Sequence, residues 1–150
     1  MRSEVDFDVR AFQMKCLEIM DTFDAVCRAN GLRYYMACGT MLGAVRHKGF
    51  IPWDDDVDVY MPRPDYDRLV KNARKWLPAP LKMVECESDI TFPHYYGKIE
   101  DESTTMIERV YLGHFGGVWI DIFPVDGVTD CKLLRKLHVR RFKFWRKMLY

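Results

Sequence analysis

From Val9 to Ala29, apolar side chains recur at Phe12, Cys16, Ile19, Phe23 and Val26 or Cys27, the spacing of one helical face. Asn30-Gly31 supplies a stop, so the pattern predicts one long amphipathic helix. Leu32 to Ala37 is short and aromatic, as a strand would be. Gly39-Thr40 then turns the chain into a short helix over Thr40 to Val45, and Gly49 to Pro52 reads as loop. Asp56 to Met61 alternates polar and apolar, the period of a strand with Val57 and Val59 turned inward.

Pro64 suits the first turn of a helix running through Tyr66, Leu69, Val70 and Ala73 to Trp76, and Pro78 and Pro80 end it. Further strands are predicted at Leu81 to Cys86, Tyr95 to Glu100, Ser103 to Glu108 and Val118 to Phe123, with the middle two as a hairpin. Leu133 to Leu149 closes the chain as a basic helix. This mixed order of helices and strands predicts an α+β domain, one sheet packed by helices on at least one side.

A chain of 150 residues, 49% apolar, has the size and composition of one folded domain, taken here as residues 1–150. No repeat or linker divides it. Lys and Arg number 23 against 22 Asp and Glu, so net charge singles out no partner, and nucleic acid is not expected. The exception is local: residues 131–150 carry eight Lys or Arg and no acid. Such a helix either packs its apolar side on the domain, the commoner case, or lies on an anionic membrane.

The cysteines Cys16, Cys27, Cys38, Cys86 and Cys131 form no C-x-x-C pair, so they are expected to be single thiols in a reducing compartment. Residues 1–10 show three acids and no apolar stretch of a signal peptide, and no run is long enough to span a bilayer. A cytoplasmic protein, with peripheral contact at the inner face of the membrane through residues 131–150, is the expectation.

Chemistry concentrates between Gly39 and Val59. Asp54, Asp55, Asp56 and Asp58 fall within five positions, and like charges so close are best tolerated around a cation. On a strand, Asp56 and Asp58 share a face, about 6.6 Å apart along the chain. A solvated acidic turn is the bland alternative. The Asp54-x-Asp56-x-Asp58 run also opens like a calcium loop, but Val59 stands where glycine is required and Asp65 where glutamate is, which excludes it.

Asp121 lies in an apolar strand, where a carboxylate needs an arginine or a metal beside it. Asp126 reads as a turn residue. Gly39-Thr40 offers a hydroxyl and helix-start amides to a phosphate. Arg46, His47 and Lys48 either neutralise a diphosphate or decorate a surface turn. Lys98 is either a further anion ligand or a snorkelling surface side chain.

Taken in order, Gly39-Thr40-x-Leu42-Gly43-Ala44-Val45-Arg46-His47-Lys48-Gly49-Phe50-Ile51-Pro52-Trp53-Asp54-Asp55-Asp56-x-Asp58 closely resembles the signature of LicD-type phosphotransferases. That family includes bacterial phosphorylcholine transferases and is related to the fukutin-related ribitol-phosphate transferases. Arg63-x-Asp65-Tyr66, Lys98 and Trp119-Ile120-Asp121-Ile122-Phe123-Pro124-x-Asp126-Gly127 extend the likeness over nearly the whole chain.

The resemblance implies a nucleotidyltransferase fold of the DNA polymerase beta type with Mg²⁺ or Mn²⁺ in its site. Asp56, Asp58 and Asp121 would be the metal-binding and catalytic acids. Gly39, Thr40, Arg46, His47, Lys48 and Lys98 would bind the donor's phosphates. The implied reaction moves phosphocholine or a polyol phosphate from a CDP-linked donor to a glycan or lipid-linked sugar. Family members usually extend further, so part of the acceptor site is expected beyond this sequence. Two alternatives use the same motif: transfer of a nucleotide from an NTP, and a non-catalytic binding module.

Overall fold

The computed structural model describes residues 8–85, 92, 94–106 and 115–149. The elements, in order, are α1 (Val9–Asn30), β1 (Tyr35–Met36), α2 (Cys38–His47), β2 (Asp58–Pro62), α3 (Arg63–Trp76), β3 (Leu81–Val84), β4 (Gly97–Met106), β5 (Gly116–Val125) and α4 (Lys132–Leu149). Strands β1-β2-β5-β4-β3 form one five-stranded sheet in that spatial order. β2 and β5 run parallel, whereas the other neighbours are antiparallel. This is the expected α+β arrangement with a mixed sheet.

Helix α1 begins where Asp8 accepts a hydrogen bond from the Ala11 amide, 2.9 Å away. It ends at Gly31, whose φ of 60° is the left-handed conformation glycine adopts at least cost. Its buried face sets Phe12, Cys16, Ile19 and Phe23 against Val59, Met61, Ile99, Ile120 and Ile122 of the sheet. Tyr66, Leu69 and Ala73 of α3 join the same core. Helices α1 and α3 therefore cover one face of the sheet. Alternation turns Asp58, Lys98 and Asp121 to the other.

Three expectations change. The strand predicted at Leu32 to Ala37 is paired only at Tyr35–Met36. The acidic strand starts at Asp58 rather than Asp56, because the preceding loop is held elsewhere: Gln13 donates to the carbonyls of Ile51 and Asp54 at 3.1 and 2.8 Å. The expected hairpin over Tyr95–Glu100 and Ser103–Glu108 is instead one strand, β4. Asp101 accepts from the Ser103 amide and Thr104 donates to the Asp101 carbonyl, turn chemistry that here makes a register shift without reversing the chain. Cys86 and residues 107–108 of the predicted strands lie outside the described residues.

Helix α4 follows the predicted span, but it does not pack on the domain: residues 132–148 are all exposed. Among the described residues, no helix is long and apolar enough to cross a membrane.

Candidate active site

The chain reaches the site along α2. This helix starts at Cys38, so Gly39 and Thr40 occupy its first turn. Thr40 Oγ1 accepts a hydrogen bond from the Asp58 amide at 2.8 Å, and the Ala37 amide donates to the Asp58 carbonyl at 3.0 Å. Helix start and acidic strand are thus fastened to each other. The loop between them doubles back along α2. A Cβ on Gly43 would stand 2.6 Å from the Gly49 carbonyl, and one on Gly39 would stand 2.5 Å from an Asp54 carboxylate oxygen. At Gly43, where the neighbour is backbone, only glycine admits so close an approach.

Across the sheet, Asp58 pairs with Asp121 and Asp121 with Lys98, so the three form one row over β2, β5 and β4. All are buried. Lys98, only 2% exposed, is no snorkelling surface lysine. Its ammonium lies 3.7 Å from Asp121 Oδ1 and 3.8 Å from the centre of the Trp119 ring. The cation beside Asp121 is therefore a lysine rather than the arginine that sequence alone suggested. The aromatic face lowers the cost of burying its charge.

Asp56 sits just outside the strand. Burial, then repulsion from Asp58, Asp54 and Asp55, pushes its carboxyl up to about 6, with Lys98 opposing the shift. Asp58 is also raised, first by burial; the Cys38 thiol acts the other way. Asp54 follows the same direction through burial and Asp55. Carboxylates made this reluctant to ionise together gain most from a divalent cation. Their hard oxygen donors suit Mg²⁺ or Mn²⁺. Among the described residues, however, no group of three His, Cys, Asp and Glu side chains is gathered closely enough to enclose an ion. The donor set fits the metal in chemistry, with Asp58 and Asp121 adjacent across the strands and Asp56 near enough to Asp58 for their charges to repel.

Not every candidate converges. Arg46 and His47 end α2, Lys48 follows, and all three are exposed. Six residues of helix separate Arg46 from Thr40, a distance of about 9 Å. Asp126 is more than a turn residue, since Arg63 holds it with two hydrogen bonds of 2.7 and 2.9 Å. Of the cysteines, Cys16 and Cys27 are buried thiols pushed up to about 12 chiefly by burial, whereas Cys38 and Cys131 are exposed.

Sequence reasoning missed Gln13, the buried amide that ties α1 to the acidic loop. The available signal was a polar residue set between Phe12 and Cys16 on the apolar stripe. It also missed Cys38, which lies 3.6 Å from the Tyr60 hydroxyl.

Sequence comparison relates the chain to known proteins. The family profile described as LicD/FKTN/FKRP, nucleotidyltransferase domain, matches residues 31–149. The chain is 39% identical over 126 residues to the lipopolysaccharide cholinephosphotransferase LicD of Haemophilus influenzae, covering 81% of this chain and 46% of that protein. A shorter stretch of 34 residues is 53% identical to the human ribitol 5-phosphate transferase FKRP, covering 23% of this chain and 7% of that one. The chain thus spans less than half the length of these relatives. By its matched length and its identity to the Haemophilus protein, the chain belongs to the LicD/FKTN/FKRP nucleotidyltransferase-domain family.

Proposed function

We propose that this chain transfers a phospho-alcohol from a CDP-linked donor to a sugar hydroxyl of a glycan or lipid-linked sugar. The observation that carries the reading is the row Asp58–Asp121–Lys98, with Thr40 fastened to its first member. The names of the relatives, a cholinephosphotransferase and a ribitol 5-phosphate transferase, support the same class of reaction.

In this reading the acceptor oxygen bonds to the distal phosphorus of the donor. The bond to the bridging oxygen breaks, and CMP leaves with the electron pair. A Mg²⁺ or Mn²⁺ held by Asp56, Asp58 and Asp121 would supply Lewis acidity to the diphosphate and the attacking hydroxyl. Asp121 accepts the hydroxyl proton. Lys98, held beside it, offers fixed positive charge to the phosphoryl oxygens as their charge grows. Gly39 and the Thr40 hydroxyl border the phosphate. Arg46, His47 and Lys48, further along α2, draw the anionic donor in by their field.

Metal-dependent CMP release from CDP-choline, CDP-glycerol or CDP-ribitol, offered with sugar acceptors and lost in Asp56→Ala, is the expected result. Pyrophosphate release from CTP would instead make the chain a nucleotidyltransferase. Ligand binding without product from any donor would make it a binding module.

The exposed helix α4 adds a location. Its basic residues without a single acid complement an anionic lipid surface, and its aromatic and leucine side chains suit the apolar boundary below. We infer that it holds the enzyme at the cytoplasmic membrane face, near a lipid-linked acceptor.

A further inference from the structure

The acidic loop is held from outside the row of charges. Ile51 and Asp54 close a tight turn, in which the Asp54 amide donates to the Ile51 carbonyl at 3.0 Å. Gln13, in the second turn of α1, spans the same turn with its side chain. Its Nε2 donates to the Ile51 carbonyl at 3.1 Å and to the Asp54 carbonyl at 2.8 Å, which uses both hydrogens of the amide. Its Oε1 accepts from Arg10, one turn earlier, at 3.3 Å.

Every polar atom of this side chain, 3% exposed, is therefore committed. A buried amide is costly unless it is so matched. The two carbonyls ask for two neutral donors on a stem of this length. A carboxylate in the same place would bring further negative charge to a loop already crowded with acids, and a methionine would leave both carbonyls without this donor.

What hangs from the turn is Asp56. Upstream, the Asp54 carbonyl is held by Gln13; downstream, the Val57 carbonyl accepts from the Asp121 amide at 2.8 Å. Asp55 and Asp56 lie between these anchors, ahead of β2. Repulsion from Asp58, Asp54 and Asp55 drives Asp56 away from its neighbours, and the anchors resist it.

The same part of α1 also reaches the other half of the site. Cys16 donates to the Trp119 carbonyl at 3.5 Å, and Phe12 meets the Trp119 ring edge-on with centres 6.1 Å apart. Trp119 in turn lies against the Lys98 ammonium. The charges of Asp56 and Asp121 both reach the Cys16 thiol. The first turns of α1 thus brace the acidic loop against β5.

We propose that Gln13 is a positioning residue, whose amide holds the acidic loop so that Asp56 shares a divalent cation with Asp58 and Asp121. The inference rests on the metal-dependent reading above.

Mn²⁺ binding measured by calorimetry, with no nucleotide present, reads the effect apart from turnover. Gln13→Met keeps the length of the side chain and removes both donors. It should weaken Mn²⁺ binding by about ten- to a hundredfold, the loss usual when a group that orients a metal ligand is removed. Val26→Ala trims the core near the far end of the same helix. It should lower the melting temperature and leave Mn²⁺ affinity unchanged. Gln13 is also the single glutamine of the sequence, so glutamine labelled with ¹⁵N in its side chain isolates this amide by NMR. In the unaltered chain both of its hydrogens should exchange slowly with water, and their resonances should shift as Mg²⁺ binds.

Equal Mn²⁺ affinity in Gln13→Met and the unaltered chain overturns the proposal, and so does an equal loss in Val26→Ala. Side-chain hydrogens that exchange as fast as those of free glutamine overturn it too, and this measurement decides the matter if Gln13→Met does not fold. CMP release on the same samples separates the proposal from the reading beneath. Weakened Mn²⁺ binding in Gln13→Met, with no turnover of any donor by the unaltered chain, upholds the brace and defeats the transferase. Turnover by the unaltered chain with equal Mn²⁺ affinities does the reverse.

Discussion

Asp58 and Asp121 are register partners on parallel neighbouring strands, which places their backbones about 4.8 Å apart, with their side chains on the face away from α1 and α3. Two buried carboxylates at that spacing repel, and Lys98 lies beside the second. The pair is therefore a cost to the fold, one that a divalent cation would relieve in the proposed reading. Asp58→Asn should leave the melting temperature unchanged or raise it. The variant should also lose the rise in melting temperature that Mg²⁺ or Mn²⁺ gives the unaltered chain. CMP release should fall by about a hundredfold or more. Thermal melts with and without metal, run beside the turnover assay, check all three. Unaltered metal stabilisation would remove Asp58 from the ligand set.

Thr40 contributes through the hydrogen bond that its hydroxyl accepts from the Asp58 amide. Thr40→Val keeps the shape of the side chain and leaves that amide without this acceptor, at a cost of about 1–3 kcal/mol. Thr40→Ser should restore most of it. Urea unfolding midpoints measure the difference, and equal midpoints for the valine and serine variants would show that the bond carries no stability.

Gly39 and Gly43 share a helix and should respond differently to alanine. A methyl at Gly43 meets backbone on two sides, the Gly49 carbonyl at 2.6 Å and the Ile51 amide nitrogen at 3.0 Å. The loop must move, and about 1–3 kcal/mol of destabilisation is expected. At Gly39 the obstacle is the Asp54 side chain, which can rotate away. Gly39→Ala should therefore keep its stability while disturbing the acidic loop and turnover. Comparing denaturation with activity for the two variants tests the contrast.

The long periodic stretches were legible because burial acts on many residues at once: α1, α3 and the strand around Val59 follow directly from spacing. The acids were legible because four of them crowd five positions, a pattern few folds tolerate without purpose. Two things were not. The polar run through Asp101 and Ser103 carries real turn bonding, and pairing with β3 on one side and β5 on the other keeps the chain extended through it. Lys98 stayed open between an anion ligand and a surface lysine because nothing local shows that Trp119 and Asp121, some twenty residues later, close around it. Contacts made across strands leave no trace in local pattern.

Lys15 and Asp101 form an ion pair of 2.7 Å that ties α1 to β4. Burial alone would raise the Asp101 carboxyl, but hydrogen bonds from Lys15 and Ser103 hold it below its ordinary value of 3.8. An acid depressed in the folded state contributes stability that is present above its unfolded value and lost as pH falls through the folded one. The pair should therefore support the fold at neutral pH and fail below about pH 4. Lys15→Met should cost about 1–2 kcal/mol at pH 7, and the gap to the unaltered chain should narrow in acid. Denaturant melts at pH 7 and pH 3 decide it: a constant gap means the lysine acts through packing instead.

Helix α4 has two faces of opposite character. At about 100° per residue, Leu133, Phe144, Leu137, Met148, Leu134 and Trp145 fall within an arc of roughly 120°. Arg135, Arg146, Lys132, Lys143, Lys136, Lys147 and Arg140 gather on the far side, and Arg141 alone interrupts the apolar arc. A helix so divided sinks its rings and leucines among acyl chains while its cations meet lipid phosphates. The chain should co-sediment with vesicles containing phosphatidylserine and release as salt rises. Neutralising Lys136 and Lys143 to Gln should weaken that binding by about fivefold for each charge. Trp145→Ala should weaken it on neutral and anionic vesicles alike, and turnover of a soluble donor should be untouched by all three changes. Equal binding to phosphatidylcholine alone would assign the contact to the apolar arc without the charges, and sedimentation with neither vesicle would end the membrane assignment.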